Sequence, residues 1–381
     1  MKKAACIDFM KKKIALLPGD GIGPEVVNEA VKCLEAIANR FEHEFEFTQA
    51  PVGAIAIDRT GDPLPEDTLE VCRDADAILF GAIGDPKYDD DPSAKVRPEQ
   101  GLLRLRKEMQ LYTNIRPVEA YPELIDQSPL KNDRIAGTDF VIYRELTGGI
   151  YFGEKWLSED KESASDLCLY SADEIRRIGH LAFQAAEKRR KKLTLVDKAN
   201  VLESSRLWRR TITELAKTYP DVQLDFLFVD NAAMQIVLNP SQFDVVLTEN
   251  MFGDILSDEG SVIAGSIGLL ASASVGDQTA LFEPIHGSFP QAKGLNIANP
   301  VASILSAAML LDHFNLTEEA QVVRQAVSQS LKQGVVTSDL KSGSPFGTSE
   351  VGDFIADLAG DDSASDKLND ENIGLGKSTI I

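Results

Sequence analysis

The chain has 381 residues, 43% of them hydrophobic and 26% charged, which describes a soluble globular chain of roughly two or three domains that needs no outside staple. Its net charge of −21 argues against a nucleic-acid partner or an anionic membrane surface, since either requires a basic field. A small anionic substrate is still admissible, provided that a local cluster of arginines captures it. The four cysteines, Cys6, Cys33, Cys72 and Cys168, lie far apart without metal-type or redox-type spacing, so reduced, buried thiols of a cytosolic protein are expected.

At the N-terminus, Asp8 and the run Lys11, Lys12, Lys13 interrupt any apolar stretch long enough for a signal peptide, so no export and a cytoplasmic location are expected. Residues 14–17 read as a short strand, followed by the glycine turn 18–25 and a helix whose apolar face carries Val27, Val31, Leu34 and Ala38. Pro24 suits the first helical position, where its missing N–H has no intrahelical partner. The turn is not the dinucleotide fingerprint, because Gly19, Gly21 and Gly23 alternate and a proline follows. By itself it fits a tight structural turn at least as well as a ligand loop.

Residues 77–80 read as a buried strand and 85–100, rich in Pro and Asp, as an exposed loop. Ser171 and Glu174 have capping-box spacing. The helix they open runs to the basic cluster 188–192, read as a solvated helix end that complements the helix dipole. Strands at 193–196, 224–229 and 243–247 alternate with helices through Trp208, from Ala232 and from Phe252, which predicts a largely parallel α/β architecture. The apolar segment 261–275 is shorter than the roughly 20 residues of a membrane span and reads as a buried helix or interface segment. Residues 361–381 form a polar tail, expected to be poorly ordered.

Chemistry concentrates in a few stretches. Asp254 and Asp258 are four apart, which on a helix puts both carboxylates on one face, where they repel unless a cation or basic side chain lies between them. Two aspartates alone fit a solvated acidic face. Their apolar neighbours raise the case for a hard cation such as Mg²⁺ or Mn²⁺, with Asp230, at the end of the strand 224–229, as a third carboxylate. Arg106, Arg116 and Arg144 stand in apolar surroundings, where guanidinium forks suit a dicarboxylate, structural ion pairs being the plainer alternative. Lys198, near a metal and arginines, would have its charged form disfavoured and could then act as a base, and Tyr151 carries a donatable proton, a solvated lysine and a packing tyrosine being the plainer readings of each alone.

These stretches, in order, resemble the isocitrate/isopropylmalate (β-decarboxylating) dehydrogenases over the whole chain up to the tail. The resemblance rests on residues 17–25, the arginine stretches, Tyr151-Phe152-Gly153, Asp197-Lys198-Ala199-Asn200, Phe252-Gly253-Asp254, Glu283-Pro284-Ile285-His286-Gly287-Ser288 and Asn296-Ile297-Ala298-Asn299-Pro300. It implies a two-domain α/β fold of that family, not a Rossmann fold. The first, cofactor-binding domain would take residues 1–111 and 265–360, and the second, carrying metal, catalytic and dimerisation residues, 112–264.

It further implies that Arg106, Arg116 and Arg144 hold malate carboxylates and that Asp230, Asp254 and Asp258 bind Mg²⁺ or Mn²⁺. Lys198 and Asp230 would come from one subunit of a homodimer and the other residues from its neighbour. In the implied reaction the metal polarises the C2 oxygen, Lys198 accepts the hydroxyl proton and hydride passes to NAD. Carbon dioxide then leaves, and Tyr151 protonates C3.

The resemblance places Glu99, Leu102, Leu103 and Val201 at the C3 substituent, and leucines suit the isopropyl group of 3-isopropylmalate, the substrate oxidised in leucine biosynthesis. A third carboxylate, as in isocitrate, would need a polar or cationic partner there. Homoisocitrate, isocitrate and tartrate or malate rank below it in that order. Around NAD the resemblance places Glu283, His286, Gly287, Ser288, Gln291, Asn296 and Asn299. Relatives specific for NAD usually carry aspartate at the position of Gln291, so a weaker preference for NAD over NADP is expected. A non-catalytic subunit of a related dehydrogenase would be expected to have lost some of Tyr151, Lys198 and the three aspartates, all of which are present. A phosphate-binding protein without redox chemistry would be expected to end its glycine loop in Gly-Lys-Ser/Thr rather than Pro24-Glu25.

Overall fold

Apolar runs followed by amphipathic helices repeat through most of the chain, and most of these runs pair in parallel, because a helical crossover returns the chain in the same direction. The computed structural model describes residues 9–89 and 96–361. Cys6 and all of the polar tail except Asp361 lie outside them. The described residues divide into two units, one of residues 9–89, 96–109, 267–273 and 278–361, the other of residues 110–266 and 274–277.

In the first unit the strands run in the order Glu44–Gln49, Lys11–Gly19, Ala77–Ala82, Ala280–Pro284 and Ala271–Val275, and the pairings among the first four are parallel. Ala77–Ala82 is buried along its whole length, as a strand covered on both faces must be. The helix Gly23–Phe41 follows the glycine turn and packs on Val301–His313 and Thr348–Gly360. Pro24 occupies its second position rather than its first. Gly21 has φ +56°, and a Cβ there would lie 1.9 Å from the carbonyl oxygen of Ser288, so the turn requires glycine for both conformation and space. That contact, with the Ile22 N–H donating to the Ser288 carbonyl at 2.8 Å, ties the turn to the segment after Ala280–Pro284.

In the second unit the order is Thr113–Glu119, Asp139–Glu145, Val245–Thr248, Lys192–Asp197 and Gln223–Phe228. The first pair is antiparallel and the rest are parallel. Phe140, Ile142, Val196, Val246, Phe243 and Leu256 form its buried core. The capping box forms: the Ser171 N–H donates to Glu174 at 2.7 Å and the Glu174 N–H to the Ser171 hydroxyl at 3.2 Å.

Several expectations need correction. Segment 261–275 is not a helix: after the helix Asn250–Ser261 it makes two 3-10 turns, Val262–Ala264 and Ile267–Leu269, and then the strand Ala271–Val275. Gly265, at φ +83°, ends the first 3-10 turn in the left-handed region. Residues 85–100 are not all loop, since Pro86–Asp89 forms one helical turn and Pro98 opens a helix to Glu108. The basic cluster is only partly solvated: the Arg189 side chain is 4% exposed and donates to Asp244 at 2.8 Å and Asp139 at 2.7 Å. Asp230 lies in the first turn of the helix Val229–Leu238, beyond the strand that ends at Phe228.

Candidate active site

Open parallel sheets bind ligands at the carboxyl ends of their strands, where each strand releases the chain into a loop or helix N-terminus. The second unit puts its reactive residues there. Arg144 is next to last in Asp139–Glu145, Lys198 follows Lys192–Asp197, Asp230 follows Gln223–Phe228, and Asn250 opens the helix after Val245–Thr248.

Asp254 is the hub of one cluster. It accepts from Arg144 Nη1 on one oxygen and from the Tyr151 hydroxyl at 2.9 Å on the other. Arg116 donates to Asp258 at 2.9 Å and to the Ser257 hydroxyl at 2.6 Å, and its Nη2 stands 4.0 Å from Asp254. A basic side chain therefore lies between the two same-face carboxylates, which offsets their repulsion. Both guanidiniums are buried, with side-chain exposures of 6% for Arg144 and 13% for Arg116. Neighbouring amides orient them: Asn114 Oδ1 accepts from Arg116 Nε, and Asn250 Oδ1 from Arg144 Nε and Nη2. Partial burial first and the Asp254 hydrogen bond second raise the pKa of Tyr151 above the usual phenol value, so the hydroxyl keeps its proton at neutral pH.

Lys198 and Asp230 form a second, separate pair at 2.7 Å. The lysine hydrogen bond holds the Asp230 carboxyl below the usual carboxylate range. Beneath it, Asp197 accepts both Nε and Nη2 of Arg209 at 2.8 Å, and the Lys198 N–H donates to the Ser205 hydroxyl at 3.0 Å, which sets the turn that presents the lysine. Among the described residues no hydrogen bond or ion pair joins Lys198 or Asp230 to Tyr151, Asp254 or Asp258. Nor do any three His, Cys, Asp or Glu side chains gather to hold a metal ion. One chain thus offers two hard carboxylates on one helix face and a third elsewhere. This donor set suits Mg²⁺ or Mn²⁺ if a second copy supplies the third. Val201, in the turn after Lys198, is 61% exposed.

The remaining candidates lie in the first unit. Arg106 is on the helix Pro98–Glu108 with Glu99, Leu102 and Leu103, and donates to Glu283 at 2.8 Å. Its buried Nε has no hydrogen-bond partner, so the guanidinium keeps capacity for a further acceptor. Leu103 is 48% exposed. The His286 Nε2 is likewise buried without a partner, and burial lowers the pKa of the ring, leaving a neutral imidazole. An orphaned ring nitrogen beside the glycine-turn contact at Ser288 suits a cofactor with polar edges. Gly287 and Gln291 are exposed. Asn296 and Asn299 are already committed, Asn296 Oδ1 accepting from the Ser349 N–H at 2.9 Å and Asn299 Nδ2 donating to Asp339 at 3.1 Å.

Sequence reasoning missed Asn114 and Asn250, which orient the arginines, and the pairing of Arg106 with Glu283. Asn250 had a local signal, since it stands at the start of the helix that carries Asp254.

The chain belongs to the isocitrate/isopropylmalate dehydrogenase family, whose description matches residues 13–355. Among similar chains, the 3-isopropylmalate dehydrogenase of Bacteroides fragilis is 55% identical over 350 residues, covering 91% of this chain and 99% of its own. That of Priestia megaterium is 54% identical, covering 93% and 98%, and that of Aquifex aeolicus 52%, covering 91% and 97%. Among solved structures, the isocitrate dehydrogenase of Methylococcus capsulatus superposes with a TM-score of 0.82 at 34% identity, covering 92% of this chain and 100% of its own. A β-decarboxylating dehydrogenase of Thermococcus kodakarensis gives 0.77 at 37%, covering 91% and 96%.

Proposed function

We propose that the chain catalyses the NAD- and divalent-metal-dependent oxidative decarboxylation of 3-isopropylmalate to 2-oxoisocaproate and carbon dioxide, in leucine biosynthesis. The observation that carries this reading is that relatives 52–55% identical over 91–93% of the chain are named 3-isopropylmalate dehydrogenases. In this reading Arg106, Arg116 and Arg144 hold the two malate carboxylates in bidentate geometry. Asp254 and Asp258 hold the cation together with Asp230 of a second copy. When bound, the cation would supply positive charge to the substrate oxygens it is held against, and NAD would supply a hydride acceptor. Lys198 takes the C2 hydroxyl proton as the hydride leaves. The carboxylate on C3 departs as carbon dioxide, and its electron pair is left on the C3 side. Tyr151, protonated through neutral pH, returns a proton to C3.

Two features support a shared site in a homodimer. Among the described residues no hydrogen bond or ion pair joins the Lys198 pair to the Tyr151 cluster. Apolar side chains are also left uncovered on the helices that carry the aspartates, with Met234 55%, Leu238 52% and Ile255 58% exposed, and a second copy would bury them. No described helix is long and apolar enough to cross a membrane.

NADH formation should be highest with 3-isopropylmalate among 3-isopropylmalate, isocitrate, tartrate and malate, and should vanish with excess chelator. A preference for another acid would overturn the reading of Leu102, Leu103 and Val201 as an isopropyl pocket. No activity on any of them would favour the non-catalytic subunit. NAD should also give a higher kcat/KM than NADP, and Gln291→Asp should widen the ratio, since a carboxylate accepts from both ribose hydroxyls and repels a 2′-phosphate. A wild-type preference for NADP would reverse the cofactor assignment.

A further inference from the structure

Tyr151 stands on a one-turn 3-10 helix, Gly149–Tyr151, in an otherwise irregular stretch. Such a turn has little regular structure to hold a hydroxyl in place, so something must fix it from outside. Three buried side chains do. Glu145, fully buried, accepts from the Thr147 N–H at 3.0 Å, the Thr147 hydroxyl at 2.8 Å and the Gly148 N–H at 2.7 Å. Asn250, also fully buried, donates from Nδ2 to the Gly148 carbonyl at 3.1 Å. Tyr170, 5% exposed, lies against the turn itself. A Cβ on Gly149, at φ +73°, would stand 2.1 Å from the Tyr170 hydroxyl oxygen, and one on Gly148 2.9 Å from the ring.

The same Tyr170 hydroxyl reaches the other side of the site. It donates to Glu249 at 2.9 Å and accepts from the Asn250 N–H at 3.0 Å. Glu249 caps the helix Asn250–Ser261 by accepting from the Phe252 N–H at 3.0 Å. That helix carries Asp254, the acceptor of the Tyr151 hydroxyl. One buried phenol therefore touches both the turn that presents Tyr151 and the cap of the helix that holds its partner. Its ring is fixed in turn by an edge-on contact with Trp208 at 5.5 Å and 83°.

We infer that Tyr170 is a positioning residue for the proton-donating Tyr151, setting the distance between the glycine turn and the Asp254 helix through its hydroxyl. This deepens the proposed function and rests on the assignment of Tyr151 as the acid. No step of the chemistry uses Tyr170 directly. Its effect is on where the Tyr151 hydroxyl stands, and a displacement of about 1 Å at such a site can cost about a hundredfold in rate.

The test is a double-mutant cycle on the full-length enzyme with Mg²⁺, NAD and 3-isopropylmalate. Tyr170→Phe keeps the ring against Trp208 and the glycines and removes only the hydroxyl. It should lower kcat about ten- to a hundredfold while KM for the malate changes less than about threefold, because Arg116 and Arg144 are untouched. In a Tyr151→Phe background the same change should cost less than about twofold, since there is no longer a donor to position. Glu145→Gln, which loosens the turn from its other edge, should behave alike and serves if Tyr170→Phe does not accumulate as folded protein. Equal fold-losses in both backgrounds would show a general structural defect and overturn the inference. Full activity of Tyr151→Phe alone would instead overturn the acid assignment on which it rests.

Discussion

Lys198→Ala is expected to lower kcat/KM by about 10²–10⁴-fold, the range contributed by a positioned general base, and to leave the fold intact. Its side chain makes a single ion pair, with Asp230, whose side chain is 64% exposed, and such solvated pairs contribute about 0–1 kcal/mol. The interactions that shape the turn belong to the backbone, the Lys198 N–H to Ser205 and the Lys198 carbonyl accepting from the N–H groups of Val201 and Leu202, and alanine keeps them. The sharper result comes from mixing. If Lys198 serves the site of the neighbouring copy, a heterodimer of Lys198→Ala and Tyr151→Phe chains has one site with both lesions and one with neither. Random reassociation of the two inactive variants should then restore about a quarter of wild-type activity. Recovery no greater than the sum of the two variants alone would show that each chain completes its own site.

Asp254→Asn should have an effect of comparable size, about a 10³-fold loss in kcat/KM, or about 4 kcal/mol of transition-state stabilisation. Three consequences coincide at this one carboxylate. In the proposed reading a cation ligand loses its charge, and in addition Arg144 loses this counter-ion and the Tyr151 hydroxyl faces an amide instead of a carboxylate. Arg144 is buried, so part of the loss is the cost of weakening the charge compensation of a buried cation. Since the Asp254 side chain is 35% exposed, water screens that cost, and the variant should remain folded with a modestly lowered Tm. Titrating Mg²⁺ separates the contributions. A weaker apparent metal affinity together with a lower kcat at saturation is the expected pattern. Wild-type metal affinity, or kcat/KM within tenfold of wild type, would remove Asp254 from the cation site.

Local spacing accounts for what could be read without coordinates. Four-residue separation on an apolar helix placed Asp254 and Asp258 on one face. Ser171 and Glu174 marked a helix start that both hydrogen bonds of the capping box confirm. The alternation of apolar runs and amphipathic segments between 171 and 260 predicted strands at 193–196, 224–229 and 243–247, which fold as Lys192–Asp197, Gln223–Phe228 and Val245–Thr248. These features are decided within a few residues, by side-chain period and by backbone groups that need a nearby partner.

Only the tertiary structure decided which of these residues meet. Arg144 reaches Asp254 across 110 positions of sequence and Tyr170 reaches Glu249 across 79. Both contacts depend on Asp139–Glu145 lying beside Val245–Thr248 in the strand order, which no local pattern specifies. For the same reason Arg189, composed like its solvated neighbours, turned out to be buried between Asp139 and Asp244, and the apolar run 261–275 broke at Gly265 instead of continuing as a helix. A sequence names the groups capable of acid, base and ion-pair chemistry. Their partners are set by long-range strand pairing, because a buried charge is stable only beside whichever partner that pairing delivers.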